Sequence, residues 1–167
     1  WDRTWLVADL DIEYTNFEFP AEPFLDYRRS FSLQRPVLRA VQHVLGGAGI
    51  YPLHSVTGRG HHFVWKIHPM SMAFQELADI GRISPTLERL YAIGQPPDNQ
   101  IVGLTLGKAF SGLGLVAEYV AYHIMSESQP ECPIPISPAA MDMGPQERGR
   151  EIISLDVSEY GDPLHTR

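Results

Sequence analysis

Acidic and aliphatic residues alternate near the start of the chain. Residues 4–14 run Thr4-Trp5-Leu6-Val7-Ala8-Asp9-Leu10-Asp11-Ile12-Glu13-Tyr14, and this period of two predicts a strand with Asp9, Asp11 and Glu13 on one face. The apolar lead-in before Asp9 marks it as an inner strand. After Pro20 and Pro23 the spacing changes to that of a helix, with Val37, Leu38, Val41, Val44 and Leu45 on one side of residues 36–45, and Gly46-Gly47 ends it. Two extended runs, 50–56 and 61–67, flank Thr57-Gly58-Arg59-Gly60 and predict a β-hairpin.

The remaining pattern predicts a helix over about 71–92 with a break at Pro85, and then a polar loop at 95–99. A further helix over about 113–125 is expected to turn Leu115, Tyr119 and Tyr122 inward. Residues 127–149 hold Pro130, Pro133, Pro135, Pro138 and Pro145, which rules out one regular element and suggests an ordered loop or a crossing between lobes. A last strand, 150–157, is apolar with Asp156 near its end. No internal repeat is visible. The order of elements predicts a mixed α/β or α+β domain.

Composition narrows the class without naming a function. At 167 residues, 44% hydrophobic and 20% charged, the chain suits one folded domain or two small lobes sharing a cleft. No apolar run is long enough for a membrane helix, and the first residues lack the pattern of a secretory signal, so no membrane partner and an intracellular location are expected. The chain is expected to be a piece of a longer protein. A single cysteine, Cys132, excludes an intramolecular disulfide or a cysteine-rich zinc ribbon within these residues and reads as an inert thiol. The net charge of −7 excludes a protein that coats nucleic acid by bulk electrostatics. It leaves open an enzyme whose carboxylates hold cations, because a bound ion inverts the local charge.

Three aspartates fall on predicted strands: Asp9, Asp11 and Asp156. Strands disfavour Asp, and an ionised carboxylate taken from water without a partner costs several kcal/mol. Magnesium or manganese would compensate, since hard cations take oxygen ligands and two aspartates two residues apart on a strand project from the same side. The bland alternative is a solvated acidic face, the role expected for Glu13. The hairpin turn offers backbone N–H groups, the Thr57 hydroxyl and the Arg59 cation, which suit a triphosphate, although the spacing is not that of a P-loop. Its bland alternative is an ordinary turn with Arg59 in water. His61 and His62 point to opposite faces, so at most one reaches a shared site. His43, His54, His68, His123 and His165 show no paired ligand spacing and are read as structural or surface residues.

In order along nearly the whole chain, Asp9-x-Asp11 on a strand, Thr57-Gly58-Arg59-Gly60-x-His62 in a hairpin and Leu155-Asp156 on a late strand resemble the three motifs of the archaeo-eukaryotic primase superfamily. That resemblance implies an α+β catalytic core, with mixed sheets and flanking helices around a central cleft, built from an RRM-like half and an N-terminal α/β unit. It implies a DNA primase or primase-polymerase that transfers nucleotides from nucleoside triphosphates on a nucleic-acid template, with a helicase or other replication domain as a further partner. Asp9, Asp11 and Asp156 would hold Mg2+ or Mn2+, His62 would contact the phosphates, and Thr57 and Arg59 would support the triphosphate. The chain departs from the pattern in having threonine at 57, where many members have serine, and in lacking a zinc-binding stem and the basic residues that many relatives carry after the third motif. Two other classes fit the same residues: a metal-dependent nuclease, and a catalytically silent nucleotide- or nucleic-acid-binding module of a larger replication protein.

Overall fold

A computed structural model describes residues 5–86, 89, 104–140 and 150–160. The predicted loop at 95–99, His165, most of the predicted helix beyond 86 and the stretch 141–149 lie outside the described residues. The strands are β1 (Leu6–Asn16), β2 (Leu53–Val56), β3 (Gly60–Ile67), β4 (Ile136–Ser137) and β5 (Glu151–Asp156). The helices are α1 (Glu22–Leu25), α2 (Tyr27–Gly47), α3 (Met72–Ile80) and α4 (Leu104–Ser128). The five strands form one mixed sheet in the order β2-β3-β1-β5-β4. Antiparallel pairing joins β2 to β3 and β1 to β5, and β4 runs parallel to β5. The chain is therefore α+β, as the pattern predicts. No helix among the described residues is long and apolar enough to cross a membrane.

Two compact units divide the chain, one of Asp9–Trp65 with Ala117–Glu159, the other of Trp1–Ala8, Lys66–Val116 and Tyr160–Arg167. In the first, the alternation of β1 is fully used. Leu10, Ile12 and Tyr14 are buried, while Asp9, Asp11 and Glu13 alternate with them on the other, half-buried face. The buried side packs with Leu33, Val37, Val41 and Leu45 of α2, Ala121 and Ile124 of α4, Phe63 of β3, and Ile153 and Leu155 of β5. Each of the large aliphatic and aromatic side chains among them contributes roughly 1.5–3 kcal/mol by leaving water. Cys132 joins this core, and burial pushes its thiol up from the ordinary value.

Three sequence expectations are corrected. The helix expected over 71–92 with a break at Pro85 ends already at Ile80, where Gly81 turns to extended backbone and 81–84 are not helical. Helix α2 begins nine residues before Pro36, at Tyr27, where the Asp26 carboxylate accepts from Arg29 N at 3.1 Å. Proline within a helix removes one backbone bond and crowds the preceding turn. Burial of Ser30, Leu33 and Gln34 in that turn, together with the bonds from Gln34 Nε2 to Ser30 O and Arg59 O, favours the helix nonetheless. Helix α4 starts earlier than expected and turns the residues expected inside outward: Leu115, Tyr119 and Tyr122 are exposed, and Ala109, Leu113, Ala121 and Ile124 are buried. Its apolar residues occupy all sides, so periodicity could not choose the inner face, and the packing of Ala121 and Ile124 into the core decided it for the second half of the helix. In the second unit, a Cβ at Gly112 of α4 would lie 2.0 Å from Leu77 O of α3, which only glycine avoids.

A buried polar network ties β1, α1, α2 and β5 together. The Tyr14 hydroxyl lies 2.6 Å from Glu22 Oε2 and 2.6 Å from Glu151 Oε1, and Arg29 Nη1 donates to it at 2.8 Å. The Arg29 guanidinium also pairs with Glu22 at 2.7 Å and with Glu151 at 2.7 Å. Burial and the two carboxylates push the Tyr14 phenol far up, so it stays a neutral donor. Glu151 is 2% exposed, and losing Arg29 would remove the guanidinium that pairs with its buried charge. Arg29→Met is therefore expected to lower unfolding stability by about 3–5 kcal/mol, measured by urea denaturation, whereas a change below about 1 kcal/mol would mean that the network does not hold these elements together.

Candidate functional site

The acid face of β1 gains its remaining residues from both neighbouring strands. Asp11 is directly opposite Asp156 in the β1–β5 register, and opposed residues of an antiparallel pair project to the same side. On the other flank, β3 carries His62 in register with Ser55 of β2, and the His62 Nδ1 contacts Asp11 Oδ1. Close approach of β3 to β1 depends on Gly60, where a Cβ would lie 1.7 Å from Ile12 O. The turn behind it is closed by Thr57, whose N–H donates to Gly60 O at 2.8 Å and whose Oγ1 accepts from Gly60 N at 3.1 Å. A serine would close the turn in the same way.

Ligand atoms of Asp9, Asp11 and His62 all lie within 4.8 Å of one another. Two carboxylate oxygens and one imidazole nitrogen suit a divalent ion, the oxygens favouring magnesium or manganese and the nitrogen favouring manganese of the two. Among the described residues this is the one such group, and Asp156 stands outside it. Its Oδ1 accepts from Ser158 N at 2.7 Å and from the Ser158 hydroxyl, which orients it beside Asp11. Thus the three aspartates of the sequence motifs share one face, and the tight cluster is completed by histidine. Arg59 reaches the same face, where its Nη2 pairs with Glu13 Oε2 at 2.8 Å.

The second hairpin histidine has another environment. His61 is buried on the opposite side of β3, with its Nδ1 2.9 Å from His54 Nε2 and its ring edge-on to Phe31. Burial, with His54 adding, holds it below the ordinary histidine range, so it packs as a neutral ring. Sequence reasoning missed Glu13 as the partner of Arg59 and Ser158 as the anchor of Asp156. Both left a signal: Glu13 continues the Asp9, Asp11 face by one step, and Asp-x-Ser is the spacing of a local side-chain turn.

No protein-family model matches the chain, and it has no match among curated proteins or solved structures.

The electrostatics of the face are those of crowded like charges. Burial, then Asp9, then Glu13 and Asp156 raise the Asp11 carboxyl from 3.8 to about 6, against the opposing pull of His62. A raised folded-state value means that ionisation of Asp11 opposes folding. The stability it contributes is complete below about pH 4, declines as pH rises to about 6, and is gone above, a loss on the order of 3 kcal/mol. Asp11→Asn removes that ionisation. In a chelator, the variant is expected to melt higher than the parent at pH 8 and at the same temperature as the parent at pH 4. Saturating Mn2+ should then favour the parent, since only it keeps both carboxylates. Equal melting temperatures at pH 8 without metal would contradict the crowding.

Proposed function

We propose that this chain is the catalytic core of a primase-polymerase, a nucleotidyltransferase that extends nucleic acid on a DNA template from nucleoside triphosphates. One observation carries the reading: Asp9, Asp11 and His62 lie within ligating distance, with Asp156 opposite Asp11. That places the residues of three sequence motifs on one face of one sheet. Bound Mg2+ or Mn2+ would activate a 3′-hydroxyl and neutralise charge on the leaving pyrophosphate. Asp9 and Asp11 hold the ion site, Asp156 adds negative charge beside it, and Ser158 fixes the Asp156 carboxylate. His62 either completes the ligand set or turns to a phosphate oxygen. Arg59 supplies a forked cation at the hairpin, with Glu13 limiting its motion until a triphosphate competes for it. The chain's contribution to rate is positioning and fixed charge rather than covalent chemistry.

A second reading, phosphodiester hydrolysis, is favoured by the imidazole within the cluster, because carboxylate–imidazole sets also hold ions that activate water. One assay separates the two. A labelled primer annealed to a DNA template is incubated with Mg2+ or Mn2+, with and without nucleoside triphosphates: lengthening supports the polymerase and shortening the nuclease. Asp11→Ala is expected to reduce extension by about a hundredfold or more, and undiminished extension would remove the metal role. Arg59→Ala is expected to raise nucleotide KM by about tenfold or more, the loss of one charge-assisted bond of roughly 1.5–3 kcal/mol. An unchanged KM would end the triphosphate role of the hairpin.

A further inference from the structure

Helix α2 carries Arg28, Arg29, Arg35, Arg39 and His43 and no acidic residue, within a chain of net charge −7. Arg29 turns inward to Tyr14, Glu22 and Glu151, while Arg28, Arg35 and Arg39 are exposed. At about 100° per residue these three fall within about 40° of one another, and they span about 16 Å along the helix axis. They lie opposite the buried residues Leu33, Val37 and Val41. The outer side of α2 is therefore a line of three guanidinium groups, and it faces away from the acid face of the sheet. Arg39 pairs with Glu131 at 2.7 Å, but both side chains are about two-thirds exposed, so the pair is weak and a phosphate can replace it. Arg35 has no ion-pair partner among the described residues.

Exposed rings stand at the start of the line. Phe24 is 61% exposed and Tyr27 56%, and Arg28 lies 5.9 Å from the centre of the Tyr27 ring. Phe24 also covers the hairpin, since a Cβ at Gly58 would lie 2.9 Å from its Cε1. The rings thus connect the turn that carries Arg59 to the arginine line. Guanidinium groups in file match a phosphate backbone, forked geometry favours arginine for that purpose, and exposed rings beside them stack on unpaired bases. A lipid surface fits less well, because the apolar side of α2 is buried in the core and cannot insert.

We propose that the outer face of α2, with Phe24 and Tyr27, is a docking surface for single-stranded nucleic acid. The choice of occupant rests on the nucleotidyltransferase reading, but the surface is tested without catalysis. Fluorescence anisotropy of a labelled oligothymidylate in EDTA is expected to show binding that weakens with salt. The triple variant Arg28→Ala, Arg35→Ala, Arg39→Ala should bind at least about tenfold more weakly. Its slope of log affinity against log salt should be shallower by about 2, since each phosphate of a single strand that is no longer neutralised removes about 0.7. Phe24→Ala should weaken binding several-fold by removing a stacking ring. Circular dichroism checks the fold, and if the triple variant does not fold, the single exposed change Arg35→Glu is expected to weaken binding and flatten the slope in the same sense. Affinity and slope unchanged in these variants would overturn the proposal, as would arginine-dependent binding to phosphatidylserine vesicles with none to the oligonucleotide. Primer extension with oligonucleotide binding that ignores the arginines would defeat this surface alone. Arginine-dependent binding without extension would defeat the catalytic reading alone.

Discussion

Everything in the first unit depends on β1 being the central strand of the sheet and on its strict alternation. A central strand has a hydrogen-bonded neighbour on each side, β3 and β5, so each of its side chains is surrounded by those of two other strands. On one face that crowding is favourable, because Leu10, Ile12 and Tyr14 leave water together with α2 and the end of α4. On the other face it is unfavourable, because Asp9, Asp11, Glu13 and Asp156 are pressed together in a half-buried setting. The same backbone geometry produces both, since a shift of register by one residue would exchange the two faces completely. The apolar face fixes the register, and the fixed register forces the acids into one another's field.

That arrangement explains why the acid face bears the marks of a site. Carboxylates at the surface separate and stay hydrated. Here the backbone holds them close, and the Asp11 carboxyl is pushed up to about 6, mainly by burial and by its neighbour Asp9. Groups perturbed in this way concentrate at functional positions, which is why the acid face is the candidate site. The His62 imidazole and the Arg59 guanidinium meet part of the demand by contacting Asp11 and Glu13. Both are groups that a cation or a phosphate can displace.

Charge is also separated across the layers. The sheet presents carboxylates on one side, and α2, lying against the other side, presents arginines outward. The net charge of −7 therefore averages two surfaces of opposite sign. The average is right in excluding a protein that binds nucleic acid over its whole surface, and it hides a local stripe of exposed arginines on α2. Between the two surfaces, Tyr14, Arg29, Glu22 and Glu151 lock the start of α2 to the ends of β1 and β5, so neither face can shift without the other.

By itself the sequence determined the strands β1, β3 and β5, the hairpin turn and the side of β1 on which the acids lie, because period two in a half-buried strand has only one physical solution. Where a local feature had two solutions, it misled. Pro36 can open a helix or sit within one, and burial of Ser30, Leu33 and Gln34, with the long-range bond of Gln34 to Arg59 O, decided for the second. Leu115, Tyr119 and Tyr122 could face either way on a helix apolar all round, and only the packing of the opposite side, with Leu113, Ala121 and Ile124 buried, left them outward. Only the tertiary structure could set Asp156 opposite Asp11, bring His62 rather than Asp156 into the tight cluster, and pair Arg59 with Glu13. Those contacts join residues from separate parts of the chain, and no local pattern encodes the strand order and register that bring them together.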